Sequence, residues 1–165
     1  MTDDKKLKLP ALDPKSVETK VGTNYPEAFA ENVSQRERRY LGDALGLTQF
    51  GVNLTRLPPG VMSAQRHWHS HEDEFVMVAE GELVLITDGG EQILGPGMTA
   101  GFPAGITDGH HLINRTDKDA TYLEVGSRNP DDGADYPGLD LLFRHVNGKP
   151  TFTHADGTPY EETEK

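Results

Sequence analysis

Gly60-Val61-Met62-Ser63-Ala64-Gln65-Arg66-His67-Trp68-His69-Ser70-His71-Glu72-Asp73-Glu74-Phe75-Val76-Met77-Val78-Ala79-Glu80-Gly81 carries the densest chemistry in the chain. It opens on the turn Pro58-Pro59-Gly60 and closes on Glu80-Gly81-Glu82, and the apolar run Phe75–Ala79 reads as a strand. In a strand, side chains at i and i+2 share a face, so His67 and His69 point the same way. Trp68, between them, points the opposite way, toward sheet or subunit packing. Glu74 follows after the short link Ser70-His71-Glu72-Asp73, which sets a carboxylate on or near the next strand. Two imidazoles and a carboxylate give borderline nitrogen and hard oxygen donors, a set suited to Zn, Fe, Mn, Ni or Cu.

The texture on both sides is similar. Thr48–Leu57, Leu83–Thr87, Glu91–Leu94, Met98–Phe102, His111–Asn114 and Ala120–Val125 are short strand candidates set between glycine and proline turns. None of these segments keeps a helical period over 11 residues, and the turns recur every eight to twelve, which predicts an all-β sandwich or barrel. Closure or double-sheet packing also disposes of so many strand edges. Residues 1–40 are polar, interrupted by Pro10, Pro14 and Pro26, and end in Arg36-Glu37-Arg38-Arg39. They read as an extended N-terminal arm, either laid across a neighbouring subunit or solvated. The barrel is expected over 41–128. Residues 129–165, entered through the turn cluster Asn129-Pro130-Asp131-Asp132-Gly133, read as a C-terminal extension packing on it and ending in a hydrophilic tail. Within that extension Leu139–Phe143 is a further edge strand or a short helix.

Composition excludes several classes. The chain is 165 residues long, which suits one domain. Its 16 basic and 27 acidic residues give a net charge of −11, so a general phosphate-binding face for nucleic acid is absent. Its apolar runs fall well short of 18 residues, which predicts no membrane span. Met1-Thr2-Asp3-Asp4-Lys5-Lys6 lacks the apolar core of a secretory signal, and a cytoplasmic location is expected. With no cysteine, disulfides, thiolate metal sites and a cysteine nucleophile are excluded.

A second motif lies downstream. Gly97 is followed by five residues, then Pro103-Ala104-Gly105, four residues, His110, three residues and Asn114. The first motif runs Gly60, six residues, His67-Trp68-His69, four residues, Glu74, six residues, Gly81. Together they resemble the two motifs of the cupin superfamily. The wider block, including Leu41–Gly51 and Asp156–Tyr160, resembles small single-domain bacterial cupins. The resemblance implies a double-stranded β-helix (jelly-roll) barrel, usually a homodimer, with one divalent metal ion per subunit held by three His and one Glu. Carried onto this sequence, those ligands are His67, His69, Glu74 and His110. His110 and His111 point to opposite faces of an extended segment, so one of the two turns away from the ion; the three-residue gap to Asn114 favours His110.

Such an ion polarises a carbonyl or hydroxyl oxygen or activates a water. The expected activity is that of a metal-dependent isomerase, epimerase or lyase on a small polar molecule such as a sugar or hydroxycarbonyl. A metal-dependent dioxygenase and a non-enzymatic small-molecule-binding or sensor cupin are the alternatives. Glu124, on the Ala120–Val125 strand, is the candidate catalytic base. Phosphate recognition wants inward Arg or Lys, but only Arg66, Arg115 and Arg128 lie near the motifs, and Arg66, next to His67, points the other way, which counts against a sugar phosphate. His71 reads as an exposed turn residue, and His145 and His154 as surface residues.

Overall fold

Period-2 apolar patterning and glycine turns resolve, in the computed structural model, into antiparallel pairing throughout the sheets; the structure describes residues 10–161. In chain order the strands are β1 (Lys20–Val21), β2 (Glu37–Tyr40), β3 (Phe50–Leu57), β4 (Trp68–His69), β5 (Glu74–Glu80), β6 (Leu83–Thr87) and β7 (Gly90–Leu94). They continue as β8 (Thr99–Phe102), β9 (His111–Ile113), β10 (Ala120–Ser127), β11 (Ala134–Asp135), β12 (Leu142–Val146) and β13 (Lys149–Thr153). One helical turn, α1 (Leu41–Ala44), links β2 to β3.

One wall is a six-stranded sheet in the order β1-β2-β3-β10-β5-β8. The other is made of β13-β12-β11-β4 and β7-β6-β9. These two pieces are joined by the His67–His110 bridge, whose backbone N–H groups each donate to the other's carbonyl, at 3.2 and 2.9 Å. The expected all-β jelly-roll barrel is what forms. Gly81 turns β5 into β6 with φ of +77°, and a Cβ there would lie 2.8 Å from the Asp119 carbonyl oxygen, so both the dihedral and the space demand glycine.

Alternation sorts the six-stranded sheet into two faces. Leu57, Val76, Val78, Ala120 and Tyr122 face inward and meet Leu83, Leu85, Leu94 and Leu112 from the opposite wall in one buried cluster. A second cluster holds Tyr25, Val33, Ala64, Ala134, Tyr136 and Leu141, with Phe29, Phe143, Phe152 and Tyr160 against it.

That second cluster includes residues of the N-terminal arm. Residues 1–9 lie outside the described residues, but residues 10–40 pack on the chain's own barrel. Tyr25 and Val33 bury against Ala134 and Leu141, and each large apolar side chain so buried contributes roughly 1.5–3 kcal/mol. The charged run is strand β2, paired with β3 from Glu37↔Arg56 to Tyr40↔Asn53. Its alternation turns Glu37 outward to an ion pair with Arg56 and Arg38 inward to Glu124. At the other end, β11–β13 extend the second wall beyond β4. Leu142 and Phe143 lie in β12, while Leu139 and Asp140 precede it.

Candidate metal centre

Three imidazoles converge on one carboxylate oxygen. His67 and His69 come from β4 and its leading residue, Glu74 from the first position of β5, and His110 from the residue before β9. Glu74 Oε2 lies 2.8 Å from His110 Nε2 and 3.8 Å from both His67 Nε2 and His69 Nε2. Donor atoms of His67, His69 and Glu74 fall within 4.8 Å of one another. His110 enters through its bond to Glu74.

The far side of two of these rings is fixed. His67 Nδ1 is 2.8 Å from the Gln65 carbonyl oxygen, which only accepts, so Nδ1 carries the proton and Nε2 presents its lone pair inward. His69 Nδ1 is 2.8 Å from Asp132 Oδ2 and is protonated for the same reason. Outer partners of this kind set both tautomer and ring direction of ligating histidines. His110 is held differently: its ring stacks on Phe102 at 3.5 Å between centroids with 1° between the planes. Its Nδ1 is buried without a partner.

Burial strips solvation from a charged His67 ring and pulls its pKa down to about 3, so the imidazole is neutral at pH 7. Burial alone would raise the Glu74 carboxyl, but the His110 hydrogen bond and the three neighbouring imidazoles hold it below its ordinary value. Neutral imidazole and ionised carboxylate are the forms that bind metal. By donor type and convergence the four residues fit a divalent ion, and the tautomers of His67 and His69 suit it as well.

Of the adjacent pair, His110 turns to Glu74. His111 turns away, and burial followed by the charge of Arg66 lowers it to about 4. His71 is exposed and bonds only Ser70 Oγ. His145 reaches the Asp132 carbonyl oxygen at 3.1 Å, one residue behind the cluster, and His154 stacks on Tyr160 beside Asp140. Asn114 is fully buried and is structural: its Nδ2 donates to the carbonyls of Leu57 and Lys118, and its Oδ1 receives Thr116.

The cluster opens on a cavity of about 440 Å³. Glu124 lines it, fixed by Arg38 Nη2 at 3.0 Å and Asn53 Nδ2 at 3.1 Å. Arg36, Arg38, Tyr122 and Tyr136 line it as well. Few basic residues lie near the motifs, Arg66 among them is expected to turn away, and cations from the N-terminal segment are not anticipated. Arg66 and Arg115 pair outward with Asp88 and Glu91; Arg128 lines the cavity and pairs with Asp43. The deeper cations, Arg36 and Arg38, come from the charged run of the N-terminal segment. The period-2 spacing of Arg36, Arg38 and Tyr40 is the signal that could have found them. Asp132 sits in a turn cluster and gives no such signal.

The Cupin domain family matches residues 53–126. A sugar phosphate isomerase from the cupin superfamily of Silicibacter pomeroyi shares 47% identity over 92% of this chain and 97% of its own, with a TM-score of 0.87. The chain is a cupin. A second solved structure, a proposed sugar phosphate isomerase from Acidithiobacillus ferrooxidans, has 28% identity over 90% of both chains and a TM-score of 0.72. The polyketide cyclase RemF from Streptomyces resistomycificus matches this cupin with 17% identity over 80% of this chain and 87% of its own, at a TM-score of 0.65, a likeness of fold alone. Among curated protein sequences no match was found. No helix of the described residues is long and apolar enough to cross a membrane.

Proposed function

We propose that this cupin is a metal-dependent isomerase of a small phosphorylated sugar, with one divalent ion held by His67, His69, Glu74 and His110. The observation that carries the reading is the joining, in one cavity, of a metal-type donor cluster, a fixed carboxylate, the buried Arg36 and the half-buried Arg38. The 47%-identical cupin named as a sugar phosphate isomerase supports it. Bound there, the ion supplies a Lewis acid that draws charge from a carbonyl or hydroxyl oxygen.

An aldose–ketose interconversion moves one proton between two adjacent carbons and one between their oxygens, with no net gain or loss of electrons. Glu124 is the carboxylate placed to carry the carbon-bound proton, since it faces the cavity and is held in position by Arg38 and Asn53. The barrel of 41–128 acts with both extensions as one unit, because 1–40 supplies the arginines and 129–165 supplies Asp132. The reading includes a cytoplasmic location and a homodimer. Register sets Leu54, Leu123 and Met77 in one outward row and Val52, Val125 and Phe75 in the next, an apolar patch suited to a second copy.

The test is to load the protein separately with zinc, manganese, nickel or iron and incubate it anaerobically in D2O with pentose and hexose phosphates. Expected are the isomeric sugar and solvent deuterium at one of the two reacting carbons by NMR, both lost in Glu124→Gln. Absence of exchange with every metal, or turnover only with oxygen consumption, overturns the isomerase reading.

A further inference from the structure

Seven buried side-chain atoms among the described residues lack a hydrogen-bond partner, and four of them gather in one place. Register pairs Arg38 with Thr55 and Thr55 with Tyr122, so these three polar side chains form a single inward row across β2, β3 and β10. Arg38 Nε, Thr55 Oγ1 and Tyr122 Oη are all unpartnered. Arg36, two residues before Arg38 on the same face, adds its own Nε. Native proteins rarely leave buried donors unfilled, and a cluster of them marks a place for a missing acceptor.

Charge points the same way. Arg36 is 8% exposed and makes no ion pair among the described residues. Its Nη1 donates to the Ser63 carbonyl oxygen and its Nη2 to that of Gly22 at 3.4 Å, which ties the N-terminal segment to the barrel but leaves Nε unused. Arg38 spends one donor on Glu124. Of the two guanidinium groups only Arg38 has a carboxylate partner among the described residues, Glu124, while Glu74 lies farther along the same cavity beneath the imidazoles.

We propose that Arg36, Arg38, Tyr122 and Thr55 form an anion pocket that takes the phosphoryl group of a phosphate monoester. A phosphoryl group brings a charge of about −1.5 to −2 and three strong acceptor oxygens, and planar guanidinium forks match its geometry. A structural strap accounts for the Nη atoms of Arg36 and for nothing else in the cluster. The isomerase reading supplies only what the phosphate is attached to; the pocket stands on its own atoms.

The probe is inorganic phosphate, titrated into the metal-free full-length protein in excess EDTA and followed by calorimetry and amide NMR shifts, with acetate as the comparison. Expected is saturable phosphate binding that weakens about 5–10-fold in Tyr122→Phe and about 10–100-fold in Arg38→Met. Tyr122→Phe is isosteric and removes an unpaired hydroxyl, so its thermal midpoint equals or exceeds that of the parent. If Arg38→Met fails to fold, Tyr122→Phe decides. No saturable binding, equal affinity in parent and variants, or acetate binding as tightly as phosphate overturns the proposal. Phosphate binding with no sugar exchange would instead sink the isomerase reading and leave the pocket in place.

Discussion

Replacing Asp132 by Asn should reverse the tautomer of His69. Asp132 has a side chain only 3% exposed and uses both oxygens: Oδ2 meets His69 Nδ1 at 2.8 Å, while Oδ1 accepts the backbone N–H groups of His71 at 2.9 Å and Glu72 at 3.2 Å. An asparagine must keep its oxygen against those two N–H donors, because the flipped amide would set a third donor against them. Its NH2 then faces His69 Nδ1, which has to accept, and the ring proton moves to Nε2, where it blocks the lone pair aimed at Glu74. Restoring the ligating tautomer forfeits a charge-assisted hydrogen bond, about 1.5–3 kcal/mol. That is roughly 10–100-fold in metal affinity, the range usual for an outer carboxylate on a ligating histidine. Long-range ¹H–¹⁵N NMR on the metal-free protein at pH 8 reads the tautomer directly, and calorimetric titration with zinc or manganese reads the affinity. A variant that keeps the proton on Nδ1 of His69, or binds metal within twofold of the parent, refutes the argument. Intact folding is checked by the thermal midpoint, since both backbone hydrogen bonds to position 132 survive.

His110→Ala should lower metal uptake at least tenfold while His111→Ala changes it little, because only His110 reaches Glu74; elemental analysis of the two purified variants after identical loading checks the order. Burial holds His67 near pKa 3 and His111 near 4, both below their ordinary value, so the unfolded chain binds protons that the fold refuses. Stability of the metal-free protein is therefore full above about pH 6.5 and falls as pH drops toward 4, by up to about 1.4 kcal/mol per pH unit for each group; urea midpoints in EDTA at pH 7.5, 6 and 5 test this, and a flat profile refutes it. Leu141→Ala should destabilise the whole protein by about 2–5 kcal/mol, since Leu141 is fully buried between the two extensions, and a loss below 1 kcal/mol by urea unfolding would detach that cluster from the cooperative fold. Sedimentation at micromolar concentration should give twice 18.1 kDa, and a monomer would remove the outer patch as an interface.

The barrel was legible where the physics is local. β3 and β5 through β10 show short apolar runs bounded by glycine turns, and each lies within a few residues of its expected span. The convergence of His67, His69 and Glu74 was legible for the same reason, because period 2 fixes which side chains share a face. Other parts depend on partners far along the chain. β4 and β11 are two residues each, too short for any period to register. β2 looks like a solvated charge run, and becomes a strand because β3 offers it an edge and Glu124 and Arg56 take up its inner and outer charges. Asp132 bonds a histidine 63 residues away, a contact that no spacing rule near either residue announces.

This division bears on how function is inherited within the fold. The Cupin domain match spans 53–126 and contains all four donors of the metal-type cluster. A donor set shared across a fold that hosts many reactions says little about which reaction occurs. RemF, a cyclase, shares the barrel at 17% identity. Several groups that shape this cavity lie outside that span: Arg36 and Arg38 before it, Tyr136 after it, and Asp132 behind His69. They stay in place because the apolar residues of the extensions, Tyr25 and Val33 on one side and Ala134 and Leu141 on the other, bury against each other beside the donor cluster. The same burial that stabilises the extensions thus brings cations to the cavity wall and a carboxylate behind His69. Cupins that keep arginines at the places of Arg36 and Arg38 are accordingly better guides to this chain's substrate than cupins that merely keep the histidines.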